Sequence, residues 1–180
     1  DWISMNINVF GLYEKIDIED LFNLLNVLGV NTKDSTAIDI GANIGNHSVE
    51  FSKIFKQVIS FEPNPRVFEV LRFNTKLIPN IVTHNWGCAD KIQSLDLVEN
   101  FSNLGSATAV RSIENQNITR IDVKQLDDLL DELHSVSLIK IDVEGMEEKA
   151  LRGAKKVISA FLPVVCFEQH KEEFSNDKDE

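Results

Sequence analysis

Acidic residues recur at the ends of short apolar runs in this chain. "STAIDI" carries Asp39, "QVISFE" ends on Glu62, and "SLIKIDVEG" holds Asp142 and Glu144. "LPVVCFE" ends on Glu168, with His170 close behind. Like charges gathered on one rim cost free energy unless they bind something. Between the first two acids lies "GANIG", with Gly41 and Gly45 framing Asn43. Glycine there permits backbone angles and a close ligand approach that a Cβ would block. A dinucleotide fingerprint would read G-x-G-x-x-G and set a pyrophosphate on the N–H groups that open the next helix. This loop lacks the tight first G-x-G. Asp39 precedes it, where an acid would repel a pyrophosphate but suit an ammonium or sulfonium group. Glu62 follows Gly45 by 17 residues, where an acid can accept both hydroxyls of a ribose. An adenosyl ligand with a cationic amino-acid end fits this pattern better than NAD.

The elements that must hold these residues alternate. Residues 17–28 place Ile18, Leu21, Phe22, Leu25 and Leu28 on one helical face, with Asp17 as N-cap. "STAIDI" reads as a buried strand, "NHSVEFSKIF" as a helix, "QVISFE" as a strand, "PRVFEVLRFNTKL" as a helix and "NIVTHNW" as a strand. Such alternation implies right-handed crossovers and a parallel sheet. Residues 92–123 break the rhythm with two strand-like runs, "IQSLDLV" and "ITRIDV", read as an inserted hairpin or lid. "QLDDLLDEL" reads as a short acidic helix, "SLIKIDV" as a strand, and "MEEKALRGAKKVISAF" as one amphipathic helix. In that helix Ala150, Leu151, Ala154, Val157, Ile158 and Phe161 point inward. "LPVVCFE" closes the series. The fold expected is α/β: a doubly wound, mostly parallel, Rossmann-like sheet with ligands at the carboxyl ends of its strands. The division expected is an N-terminal helical or extended segment over 1–35, the main domain over 36–170 and an acidic tail over 171–180.

Composition bounds the partners. The 180 residues suffice for one domain, and 43% hydrophobic with 26% charged is an ordinary soluble globular mix. Eighteen basic against 29 acidic residues give a net charge of −11, which disfavours nucleic acid. No run approaches the ~18 apolar residues of a membrane-spanning helix, so no membrane partner is expected. The chain opens on Asp1, as a domain cut from a longer protein or a processed chain would. Cys88 and Cys166 belong to no CxxC pair. They read as buried thiols in a reducing compartment, the cytoplasm, and their spacing builds no zinc site. Trp86 reads as core, His84 and His134 as structural, and His47 as part of the loop-to-helix start.

Taken together, "DIGANIGNHS", "FEPNP", "KIDVEGMEEKALRGA" and "VVCFEQH" resemble the FkbM-type S-adenosylmethionine-dependent methyltransferases, over about residues 36–170. "KIDVEG" followed by a small-residue helix is the more specific mark. The resemblance implies a class I methyltransferase fold and S-adenosylmethionine as cofactor. Asp39, Gly41, Asn43 and Gly45 would surround its methionine part, Glu62 would hold the ribose, and Asp90, in "GCAD", would sit near the adenine amino group. Asp142 and Glu144 would face the transferred methyl and the acceptor, with Glu168 and His170 at the edge of the acceptor site. The acceptor implied is a hydroxyl of a sugar, glycan or small natural product. Only "KEEFSNDKDE" follows His170, with no strand pattern, so the sheet is expected to lack the last two strands of its class.

Methyl transfer to an alcohol needs in-line alignment, exclusion of water and a base for the proton. Asp142, Glu144, Glu168 and His170 are the candidate catalytic residues. His170 has the right intrinsic pKa, near 6.5. An Asp142–Glu144 pair also has the chemistry to hold a divalent cation, although no dedicated metal site is expected. Two readings from other classes stay open: an NAD(P)-dependent oxidoreductase, and a non-catalytic cofactor-binding domain of a larger glycan-modifying protein. The oligomeric state is left open.

Overall fold

Five short runs set the main sheet: "AIDI", "VISF", "IVTH", "LIKI" and "VVCF". In the computed structural model, which describes residues 14–99, 107–108 and 117–168, each becomes a strand core. They lie in β1 (Thr36–Ile40), β2 (Gln57–Phe61), β3 (Ile81–His84), β8 (Val136–Ile141) and β9 (Val164–Phe167). All pairings are parallel, in the order β3-β2-β1-β8-β9. The runs align in register. One row across the sheet is Ile81, Val58, Ala37, Leu138 and Val164. Two residues further on, the same face carries Thr83, Ser60, Asp39, Lys140 and Cys166. Successive side chains alternate faces. One face of the sheet is therefore apolar until it reaches the carboxyl ends, where it becomes polar across every strand.

Helices cover both faces. The face with the polar row packs on α1 (Lys15–Val27) and α2 (Asn46–Ser52), through Leu25, Phe51 and Phe55. Helix α1 starts two residues before Asp17, with Glu14 in left-handed conformation as its cap, and Leu28 is exposed. Helix α3 (Pro65–Thr75) follows β2, and Asn64 caps it by accepting from the Arg66 N–H at 3.0 Å. The opposite face buries Ile38, Ile40, Ile59, Phe61, Ile139 and Ile141. Trp86 belongs to that core, its ring centroid 4.5 Å from that of Phe61.

The segment read as a hairpin is larger. Strands β5 (Gln93–Glu99) and β7 (Asn117–Lys124) pair antiparallel, but β4 (Gly87–Cys88) joins β7 in parallel and β6 (Ala107–Thr108) joins β5. A four-stranded second sheet results, in the order β4-β7-β5-β6. Two-residue strands such as β4 leave no periodicity for a sequence to show.

The single helix expected over "MEEKALRGAKKVISAF" is two, α4 (Glu147–Gly153) and α5 (Lys155–Phe161), broken at Ala154. Both keep their apolar side inward, as expected: Ala150, Ala154 and Val157 are buried, with Leu151, Ile158 and Phe161 against them. Asp127, in the 3-10 turn Leu126–Glu132, accepts from the free N–H groups of Lys156 and Val157 at 2.9 and 3.0 Å. Gly153 abuts the second sheet's connection, where a Cβ would collide with the Ala89 carbonyl. Gly153→Ala is accordingly expected to destabilise the fold by about 3 kcal/mol or more, as overpacking against backbone. A urea midpoint within error of the parent would remove this contact from the account.

Cys88 is buried, and burial pushes its thiol pKa far up. Cys166, expected to be buried, is exposed, because β9 is the last strand of the described sheet. No helix among the described residues is long and apolar enough to cross a membrane.

Candidate functional site

The polar row ends where the chain leaves β1. Gly41, Asn43 and Gly45 all take positive φ, of 76°, 50° and 94°. Asparagine tolerates that region better than most residues, and Gly41 is obligatory for a further reason. A Cβ there would collide with the Asp142 carbonyl on the neighbouring strand. The turn consumes its own donors. The Gly41 and Ala42 N–H groups donate to the Phe61 carbonyl, and Gly45 N–H donates to Ala42. Asn43 N–H donates to Glu62 Oε2 at 3.0 Å. The Gly41, Ala42, Asn43 and Gly45 amides of the turn are thus all engaged within the protein.

The acids are placed differently from one another. Asp39 is fully buried. Its Oδ2 accepts from the Ser48 hydroxyl at 2.6 Å, and Ser48 lies 2.8 Å from Ser60. Its Oδ1 lies 3.4 Å from Lys140 Nζ, outside hydrogen-bonding geometry, and has no hydrogen-bond partner among the described residues. Lys140 also reaches Asp142 Oδ2 at 3.3 Å and the Gly41 carbonyl at 3.2 Å. Burial alone would lower the Lys140 pKa, but the two aspartates outweigh it and raise it. Glu62 accepts from Asn64 N–H at 2.8 Å as well as from Asn43. Burial pushes its pKa up from 4.5 to about 7, against those two hydrogen bonds.

Gly41, Asn43, Glu62, Asp142 and Glu144 line one cleft that is open to solvent. Glu144 also takes positive φ, 50°, beside Gly145. Glu147 Oε1 holds this second turn by accepting from the Val143 and Gly145 N–H groups at 3.3 and 3.1 Å. The far wall is apolar: Leu95, Leu97, Ile121 and Val123 from the second sheet, with Met146 and Val67. Their alternation along "LDL" and "IDV" was the available signal for that wall. Asp39 and Gly45 lie behind the cleft. Asp90 is not among its lining, although its Oδ1 is buried with no hydrogen-bond partner among the described residues. Glu168 lines a second cavity, which shares Asp142 with the first. His170 falls outside the described residues. Among those residues no three His, Cys, Asp or Glu side chains gather to hold a metal ion.

Two residues of the site were given no chemical role by their sequence context. Lys140 reads in the sequence as a solvated or ion-paired strand-end residue, and placing β8 beside β1 makes it ion-paired, facing Asp39. His47 looks like a helix-start residue. It lines the second cavity, 3.4 Å from Glu14, which is 33 residues earlier. Burial and Lys140 lower its pKa.

Comparison with known proteins bears on what this arrangement belongs to. "Methyltransferase 1" of Beauveria bassiana is 28% identical over 145 residues, 67% of this chain and 58% of that protein. "Hexuronic acid methyltransferase AglP" of Haloferax volcanii is 27% identical over 145 residues, 79% of this chain and 58% of that protein. "Methyltransferase sdnD" of Sordaria araneosa is 26% identical over 179 residues, 79% of this chain and 67% of that protein. The chain thus spans 58% of the length of the first two. Residues 39–180, which begin at the buried aspartate of the polar row, match the Methyltransferase FkbM domain, and the chain belongs to that family.

Proposed function

We propose that this domain binds S-adenosylmethionine in the cleft beside Glu62 and methylates a hydroxyl of a sugar, glycan or small natural product. The observation that carries the reading is the turn itself. It brings Glu62 to the cleft, held by the Asn43 N–H yet with acceptor capacity left over. A carboxylate oxygen holding one N–H retains a second lone pair, so both Glu62 oxygens can still accept ribose hydroxyls. The apolar wall from the second sheet suits a purine.

The sulfonium supplies a methyl already strongly electrophilic, so the chain's own task is alignment, dehydration and a place for the proton. Asp142, fixed by Lys140, stands at the junction of the two cavities. Glu144 faces the cofactor cleft from a constrained turn. The family, and a relative whose name specifies a hexuronic acid, support a sugar-type acceptor. The net charge of −11 argues against nucleic acid.

Calorimetry tests the cofactor. S-adenosylmethionine and S-adenosylhomocysteine should bind at least ~10-fold more tightly than NAD, a difference of ~1.4 kcal/mol. Binding of NAD with no binding of either adenosyl ligand would sink the proposal.

A further inference from the structure

The Glu62 carboxylate is aimed by the short connection between β2 and α3, Glu62-Pro63-Asn64. Asn64 N–H donates to Glu62 Oε1 at 2.8 Å. That N–H belongs to the same planar peptide unit as the Pro63 carbonyl, so the two point in opposite directions. Whatever grips the carbonyl therefore aims the N–H. The grip comes from Asn85, just past the end of β3. Its Nδ2 donates to the Glu62 carbonyl at 2.9 Å and to the Pro63 carbonyl at 3.2 Å. Only the nitrogen end of the amide can serve, since its oxygen would meet two other acceptors. Glu62 N–H donates in turn to the His84 carbonyl at 3.1 Å. Both backbone groups of Glu62 are thus held by consecutive residues, His84 and Asn85. Gly87 of β4 leaves room for Pro63, since a Cβ there would stand 3.3 Å from it and 3.2 Å from Val123.

Resting on the reading that Glu62 holds the ribose, we propose that Asn85 is a positioning residue for the cofactor: by clamping the Glu62 and Pro63 carbonyls it keeps the Asn64 N–H on the Glu62 carboxylate and that carboxylate turned to the cleft. Asn85 is exposed and does not line the cleft, so it acts through Glu62. It carries no charge, so its loss alters the charged form of Glu62 through that hydrogen bond. The charged groups around Glu62 are Asp39 from β1 and Lys140 from β8, with Asp142 and Glu144 on the same cleft. Burial holds the Glu62 pKa up at about 7, and the N–H groups of Asn64 and Asn43 oppose it, Asn64 the more strongly. Loosening the Asn64 N–H should raise it further.

Carbon-13 NMR of the side-chain carboxyls, with Glu62 assigned from Glu62→Gln, reads its titration in the ligand-free protein. In Asn85→Ala the Glu62 midpoint should move up by ~0.5–1 pH unit, as a hydrogen bond to the charged form is lost. S-adenosylhomocysteine should then bind ~2–5-fold more weakly at pH 7 but near parity at pH 8.5, because ionised Glu62 accepts the ribose hydroxyls. Asn80→Ala is the structural control. Asn80 makes the same double clamp at the other end of β3, donating to the Ser52 and Phe55 carbonyls at 2.9 and 3.1 Å. Its loss should lower the urea midpoint comparably yet leave the Glu62 titration and the pH profile of binding unmoved. An unmoved Glu62 midpoint in Asn85→Ala, an affinity loss equal at both pH values, or the same shift in Asn80→Ala would each overturn the proposal alone. Parent protein that fails to bind S-adenosylhomocysteine, or binds it independently of pH, would overturn the reading of Glu62 and this proposal with it.

Discussion

Lys140→Met is expected to cost the domain about 3–5 kcal/mol at pH 7, the range for stranding one partner of a buried ion pair. Asp39 is fully buried and would keep only the Ser48 hydroxyl, and Asp142 would lose its cation 3.3 Å away. The Gly41 carbonyl would also lose its donor, loosening the turn that borders the cofactor cleft. A loss of that size is a large share of the ~5–15 kcal/mol that holds a domain folded. The lysine's folded pKa is raised, by Asp39 and Asp142 outweighing burial. Its contribution is therefore fully present below the ordinary lysine value of 10.5 and lost only as pH rises through the folded pKa. Urea unfolding at pH 7 reads the loss. The double variant Lys140→Met/Asp39→Leu should recover most of the loss. A single variant within ~1 kcal/mol of the parent at pH 7 would show that the row is not held by its charge.

The same row shows what the sequence made legible and what it did not. The alternation of strand and helix, the parallel sheet and the acidic strand ends are local signals, and each appears in the structure. The polar third position of "AIDI", "VISF", "IVTH", "LIKI" and "VVCF" is also in the sequence. It acquires meaning only when the strand order 3-2-1-8-9 sets Thr83, Ser60, Asp39, Lys140 and Cys166 side by side. Non-local pairing is invisible to periodicity. For that reason neither Asp39 as the partner of Lys140 nor Glu14 as the partner of His47 could be read from the sequence. The break at Ala154 was hidden for a different reason. The apolar stripe runs unbroken across it, and what interrupts the helix is the contact of Gly153 with Ala89 and the capping of α5 by Asp127.

One sheet edge therefore serves two cavities with opposite demands. The cleft beside Glu62 is walled by apolar residues of the second sheet and must satisfy hydroxyl donors. The cavity under α1 is walled by acids and holds a partly buried histidine. Asp142 lines both, and Lys140 ties it to the floor of the sheet.

Glu62 allows the cofactor side to be tested by pH alone. Its folded pKa is pushed up to about 7 from the ordinary 4.5, because burial penalises the charge more than two backbone N–H groups relieve it. A raised pKa means the folded state binds the proton more tightly. The associated stability is fully present below pH 4.5 and is lost as pH rises through about 7. The ligand-free protein should therefore lose ~3 kcal/mol from this group across that window. Ribose hydroxyls donate to the ionised form, so S-adenosylhomocysteine should pull the other way. Its affinity should fall ~10-fold per pH unit below 7, and binding near pH 6.5 should release protons, seen as a buffer-dependent heat. In Glu62→Gln both slopes should flatten, and affinity at pH 8 should drop at least ~10-fold. An affinity constant from pH 5.5 to 8, with no proton released, would mean that Glu62 does not hold the ribose.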